Sequence, residues 1–363
     1  MPGHLGTLPS QAIAQLVASG VIRSTSGVNP ERIQPASLDL TLGPRAWSMP
    51  GSVLPLAEEA VDVVVGRYAR RPLDLSEPTT LERGQVYVVE LEESLALPPD
   101  LAAYANGKSS IGRVDVQTRV LTDANPRYDK IPVGYTGPLY LEIIPKSFDL
   151  RVRAGDALNQ AIFYCRRAVL DDEALAALAA ETPLLYEAQA PVSGLGTGGL
   201  LMTLDLQQDI VGWVAKKTWR PLDLARLRAH DPRDFFEPIE RPRDAALFLS
   251  REAFYIFSTV ERVVVPPAYA VEMLPYDTSA GEFRAHYAGF FDPGFGWGVG
   301  GTPAVLEVRP YEDDLLVRHR QPVCKMSFER LTTVPTQLYG EGIKSHYARQ
   351  VGPQLSKYFK EGC

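Results

Sequence analysis

Two stretches of this chain carry one strand signature: Pro138-Leu139-Tyr140-Leu141-Glu142-Ile143-Ile144-Pro145 and Pro303-Ala304-Val305-Leu306-Glu307-Val308-Arg309-Pro310. A fixed offset of about 165 residues marks an internal duplication. Downstream the offset continues without a gap. Asp149-Leu150 answers Asp314-Leu315, Arg153 answers Arg318, and Phe163 answers Phe328. Upstream it drifts by a few residues. Ser37-Leu38-Asp39-Leu40 is set against Thr203-Leu204-Asp205-Leu206. Val86-Tyr87-Val88-Val89, then Glu93 and Pro98-Pro99, is set against Phe254-Tyr255-Ile256-Phe257, then Glu261 and Pro266-Pro267. Two copies are too few for a solenoid, so each is expected to be a complete domain core.

Length and composition fit this division. A chain of 363 residues suggests about two domains. An apolar content of 45% is ample for packed cores, and 29 Gly, 30 Pro and 16 Tyr point to turns and short strands. The formal charge of -7 does not advertise nucleic acid, so an anionic ligand needs a local basic cluster. Cys165, Cys324 and Cys363 form no CxxC and no disulfide framework. Residues 12–21 lack the basic leader of a signal peptide, and no run is long enough to span a membrane. A cytoplasmic chain that binds neither membrane nor nucleic acid is expected.

Residues 10–19 read as a short amphipathic helix stopped by Gly20. Strand signals dominate the rest of a first copy, residues 1–167, at 37–42, 86–91 and 139–144. Residues 168–199 hold a helix at 171–180 and a glycine-rich stretch, 192–199, that reads as a flexible linker. The second copy is 200–330, with a charged, proline-rich insertion at 220–243. Residues 331–363 belong to neither copy and read as a mobile tail hinged at Gly340 and Gly342.

Asn106-Gly107-Lys108-Ser109-Ser110-Ile111-Gly112-Arg113 is the most polar short motif. Its amides, hydroxyls and cations suit an oxyanion; the plainer reading is a solvated turn. It lacks the spacing of a Walker loop. Glu142 and Glu307 sit in apolar strands, where burial raises a carboxyl pKa toward that of a proton shuttle. Their recurrence fits a requirement of the fold equally well. Five scattered histidines offer no metal-ligand spacing, and neither the zinc-deaminase motif nor a G-x-S-x-G elbow is present. Asp292-Pro293-Gly294-Phe295 reads as a tight turn.

The chain resembles the dCTP deaminase branch of the dUTPase superfamily. The resemblance lies in Ile33-Gln34-Pro35-Ala36-Ser37-Leu38-Asp39-Leu40-Thr41-Leu42-Gly43, in Lys108-Ser109-Ser110-x-x-Arg113, and in Gly134-Tyr135-Thr136-Gly137 leading into Leu141-Glu142. The second copy adds Asp292-Pro293-Gly294-Phe295 before Leu306-Glu307, and the tail adds Tyr339, Tyr347, Gln350 and Gly352. The two-copy length resembles a fused bacterial form. The resemblance implies a mainly β chain of two tandem, distorted β-barrel (jelly-roll) domains that pack in pseudo-threefold rings as a homo-oligomer. It implies hydrolytic deamination of dCTP to dUTP and ammonia, without zinc. A glutamate activates water for attack at C4, and Mg2+ enters with the triphosphate. Glu307, Glu142, Arg113 and Ser109 are the implied catalytic residues. Lys108, Ser110, Tyr135, Asp292, Phe295, Tyr339, Tyr347 and Gln350 are the implied substrate contacts. No resident metal is implied; dTTP would be a regulator.

Three departures shape the expectation. The first copy has Ile131-Pro132-Val133-Gly134 in place of the Asp-Pro-Gly turn, and extra residues around 126–130. The second has acidic Asp277-Thr278-Ser279-Ala280-Gly281-Glu282 in place of the basic loop. The tail has His346 where the family has lysine, with Lys344 nearby. The copies therefore look complementary, with the loop from one and the pocket, Glu307 and tail from the other. The rival site uses Glu142. Rival functions are a dUTP pyrophosphatase with Asp292 as base, a bifunctional deaminase, and a non-catalytic nucleotide-binding protein.

Overall fold

The computed structural model describes residues 5–276, 289–311, 313–341 and 346–361. The chain is mainly β, two tandem distorted barrels with a few short helices. Among the described residues no helix is long and apolar enough to cross a membrane.

The duplication appears as a shared register. Strand Thr136–Pro145 runs antiparallel to Val86–Ala96, with Glu142 opposite Val88 and Ile143 opposite Tyr87. Strand Thr302–Val308 runs antiparallel to Tyr255–Val263, with Glu307 opposite Ile256 and Val308 opposite Tyr255. The flanking turns repeat too. Tyr87 Oη accepts the Glu82 N–H at 2.9 Å, and Tyr255 Oη accepts the Ser250 N–H at 2.8 Å. Asp149 Oδ1 accepts from the Arg83 N–H and Asp314 Oδ1 from the Arg251 N–H. These side chains satisfy backbone donors that the strand ladder leaves over.

One upstream match is corrected. Glu93 accepts the Thr41 N–H at 2.9 Å and its hydroxyl at 2.6 Å. Glu261 accepts the Thr203 N–H and hydroxyl, both at 2.7 Å. Thr41 lies opposite Ala157, and Thr203 opposite Pro322, the residue that answers Ala157. Thr203 therefore answers Thr41, not Ser37, and Leu201 answers Asp39. A strand with leucine at alternate positions looks the same after an even slip, because its faces are unchanged. The buried glutamates and the strand pairing together fix the true register.

The two cores are not segregated by copy. The first takes Phe235 and Phe236 from the 220–243 insertion, and Leu355, Tyr358 and Phe359 from the tail. In the insertion, strand Leu222–Asp223 runs parallel to Leu150–Val152 of the first copy. Phe235 and Phe236 set their edges against Phe148 at 5.2 and 5.3 Å. The insertion is a clasp across the copies.

Helices Ser10–Ala18 and Asp172–Glu181 form where expected; Asp171 caps the second by accepting the Ala174 N–H at 2.9 Å. Helix Val61–Tyr68 was not anticipated, because its valines favour strands. It buries Val61, Val64 and Val65 on one face. The expected flexible linker is instead ordered: Leu195–Gly196 pairs antiparallel with Gly199–Thr203. Gly199 has φ +150, and a Cβ there would lie 2.6 Å from the Met326 carbonyl oxygen. Its glycine serves close approach, not freedom.

Candidate active site

The basic loop leaves strand Ala102–Gly107 and turns at once into the short helix Ser109–Gly112. Its four polar side chains, Lys108, Ser109, Ser110 and Arg113, line a cleft of about 300 Å³. The opposite wall comes from the second copy, with Asp292, Phe295 and Glu307. The tail supplies Tyr339, Tyr347 and Gln350. One chain thus brings together residues from all three sources.

Helix Ser109–Gly112 and strand Thr302–Val308 approach closely. Glu307 is 2% exposed, and a Cβ on Gly112 would lie 2.7 Å from its Oε2. The absence of a side chain at Gly112 lets the Glu307 carboxylate rest against the loop backbone. Arg113 is buried and reaches the tail. Its guanidinium donates to Gln350 Oε1 at 2.7 Å and to the Gln354 carbonyl at 2.9 Å, and lies 3.8 Å above the Tyr347 ring. Gln350 also donates to the Pro303 carbonyl at 2.6 Å, which ties the tail to the Glu307 strand. The described parts of the tail, 331–341 and 346–361, are thus packed onto both copies.

The Asp-Pro-Gly turn has a clear local reason. Gly294 has φ +94, and a Cβ would meet Leu338 and Tyr339 at 2.8 and 2.9 Å. The turn can therefore receive the tail: the Tyr339 N–H donates to the Pro293 carbonyl at 2.8 Å, and its ring lies 5.7 Å from Phe295. Asp292 accepts the Ala36 N–H at 3.1 Å. Burial raises its carboxyl to about 7, against the lowering effects of that hydrogen bond and of Lys108.

Two expected residues are elsewhere. Glu142 is fully buried and paired with Arg119, whose Nε donates to Oε1 at 2.8 Å. Ser52, the Val53 N–H and Tyr128 also reach the carboxylate, at 3.3–3.4 Å. Arg119 is itself stacked 3.8 Å over Tyr128. Glu142 is sealed inside the first copy and does not line the cleft. Tyr135 also lies outside it. Its hydroxyl donates to the Pro138 carbonyl at 2.6 Å and accepts the Asp123 N–H at 3.2 Å. Both residues occupy motif positions, but these hydrogen bonds commit them to the barrel itself. The acidic segment Asp277 to Glu282, and Lys344, lie outside the described residues.

Gln160 and Lys357, which carry no signal in the sequence, also line the cleft, as do Asp39 from the first motif and His346 from the tail. Asp39 pairs with Lys108. Asp39 Oδ1 and Arg113 Nε are buried without a hydrogen-bond partner among the described residues, which leaves polar capacity at the site. His346 is pushed down to about 4, first by burial and then by Lys357, Arg228 and Lys108.

Comparison with known proteins agrees with this architecture. The family model of the 2'-deoxycytidine 5'-triphosphate deaminase N-terminal domain matches residues 4–167, and that of the C-terminal domain matches 171–359. A "dCTP deaminase, dUMP-forming" of Methanospirillum hungatei is 30% identical over 138 residues, 38% of this chain and 69% of that one. Another so named, from Aquifex aeolicus, is 26% identical over 159 residues, 43% of this chain and 79% of that one. The crystal structure of 2'-deoxycytidine 5'-triphosphate deaminase from Agrobacterium tumefaciens is 40% identical. It superposes with a TM-score of 0.86 over 92% of this chain and 97% of that one. With both halves matched in order, the chain belongs to the 2'-deoxycytidine 5'-triphosphate deaminase family, in its fused two-domain form.

Proposed function

We propose that the chain deaminates dCTP to dUTP and ammonia at a composite site, with Glu307 as the proton-transferring carboxylate. The observation that carries this reading is the contact of Glu307, from the second copy, with the Gly112 backbone of the first copy's basic loop. Water adds to C4 of the cytosine ring as Glu307 takes its proton. The carboxyl passes that proton to ring N3, then relays the proton of the new C4 hydroxyl to the exocyclic nitrogen; the C4–N bond breaks, ammonia leaves and the C4 carbonyl remains. Ser109 and Arg113 line the same cleft as this carboxylate and orient the water and the ring charge. Lys108 and Ser110 hold the phosphates, whose magnesium arrives as part of the substrate. Phe295 and Tyr339 pack against one another at the turn and wall in the nucleoside. Tyr347 and Gln350 hold the tail closed through Arg113. The reading assigns no zinc to the reaction.

A second reading is dUMP formation, in which diphosphate is also released. It is favoured by the name of the Methanospirillum hungatei relative, dUMP-forming, and by Asp292, a buried carboxyl in the cleft held at about 7. One assay separates the readings. Protein is incubated with dCTP and Mg2+, and ammonia, dUTP, dUMP and diphosphate are measured. Ammonia with dUTP supports the first reading, and ammonia with dUMP and diphosphate supports the second. Neither product overturns both and leaves a nucleotide-binding protein.

A further inference from the structure

The far end of the tail is fastened to the basic loop. The Ser356 hydroxyl, 2% exposed as a residue, donates to the Ser110 carbonyl at 2.7 Å. Residue 357 is thereby set beside Lys108. Its backbone is fixed on both sides: the N–H donates to Tyr347 Oη at 3.0 Å, and the carbonyl accepts the Arg228 N–H at 3.0 Å. The Lys357 side chain lines the same cleft as Lys108, Ser109 and Arg113.

Two lysines from distant parts of the chain are thus held near one another. Burial, and then the charge of Lys108, push the Lys357 ammonium down to about 8, with Asp39 and Asp156 acting the other way. Asp39 is already paired with Lys108. The Asp156 carboxylate accepts the Arg153 N–H at 2.9 Å. A rigid backbone that presses two cations together at a cleft wall leaves positive charge for an anion to neutralise. His346 cannot share this task at neutral pH, since its burial, and then Lys357, Arg228 and Lys108, keep its ring neutral.

We infer that Lys357 binds the phosphate chain of the substrate together with Lys108, supplying the tail's cation in place of His346. The inference rests on the nucleotide reading above and adds a residue that neither the motifs nor the comparisons assign. The competing role is structural: Lys357 would simply neutralise Asp39 and Asp156.

Calorimetric titration with dCTP, dCDP and dCMP separates the two roles, using wild type, Lys357→Gln and Lys357→Arg, beside melting curves and steady-state kinetics. Lys357→Gln should weaken dCTP binding by about tenfold or more, the scale of a lost charge-assisted hydrogen bond. The Michaelis constant should rise more than turnover falls. The loss should shrink from dCTP to dCMP, and Lys357→Arg should recover most of it. Equal losses for all three nucleotides, or a lowered melting point with the phosphate dependence intact, would overturn the inference in favour of the structural role. A wild type that prefers dCTP to dCMP, with Lys357→Gln unchanged, overturns the inference alone. A wild type with no such preference overturns the functional reading with it.

Discussion

A single methyl group tests the composite site. Gly112 ends the helix Ser109–Gly112, and a Cβ there would lie 2.7 Å from Glu307 Oε2 and 2.8 Å from its Cδ and Oε1. Real side chains do not tolerate such contacts, so helix or carboxylate must shift by several tenths of an ångström. Glu307 has little freedom to yield, because every residue of strand Thr302–Val308 is buried. Overpacking of this kind costs about 1–3 kcal/mol. Alanine in a helix returns up to about 1 kcal/mol over glycine. Gly112 is the last residue of a four-residue helix, so this return is small and the net destabilisation of Gly112→Ala is at most about 3 kcal/mol. Chemistry is more sensitive: misplacing a reacting group by about 1 Å costs about 100-fold. The expected signature is turnover down by about tenfold or more, up to about two orders of magnitude, with only a modest loss of melting temperature. The assay is ammonia release from saturating dCTP beside a thermal melt. Turnover within about threefold of wild type would remove Glu307 from the reacting centre, since a contact at that carboxylate could not be so lightly disturbed.

Glu307→Gln should lower ammonia release by about 10²–10⁴ while dCTP still binds; full turnover would exclude it as the base. Glu142→Gln should leave turnover near wild type but lower stability, by up to about 3–5 kcal/mol, because Arg119 loses its buried counter-charge. Lost turnover in a folded Glu142→Gln protein would move the site to the first copy. Asp292 titrates near 7 when folded, raised from 3.8, so the folded state binds the proton more tightly than the unfolded state does. Its contribution is full below about pH 4 and is lost as pH rises toward 7. Asp292→Asn should therefore gain stability relative to wild type at pH 8 but not at pH 4, and a melting difference independent of pH would refute this. Deleting the chain from Leu338 onward should raise the Michaelis constant and also lower stability, because Leu355, Tyr358 and Phe359 leave the first core. An unchanged melting temperature would refute that packing.

The barrels were legible because a buried strand can hold a glutamate only at a built position, and the same position recurs at Glu142 and Glu307. The register upstream was misread because alternating leucines cannot report an even slip; Thr41 and Thr203 reveal it only through their bonds to Glu93 and Glu261. The basic loop and the Asp-Pro-Gly turn were readable as local chemistry. Their meeting was only inferred, from complementary losses. Which glutamate enters the cleft depends on Arg119 and Tyr128 in one copy and Gly112 beside the other, contacts without a local pattern. Lys357 stood alone in a polar stretch, and its setting comes from the Ser356–Ser110 bond.

The clasp has a consequence for how the molecule can come apart. Strand Leu222–Asp223 belongs by sequence to the second half but extends a sheet of the first, and Phe235 and Phe236 fill the space over Phe148. A cut in the 192–199 stretch would therefore not release two proteins. The nicked fragments should co-migrate and melt together. A first half made alone would present Phe148 and its apolar neighbours bare to water, as a sticky face rather than a finished domain. On this packing the duplicated chain is expected to behave as one body, its halves unable to be traded or expressed as spares.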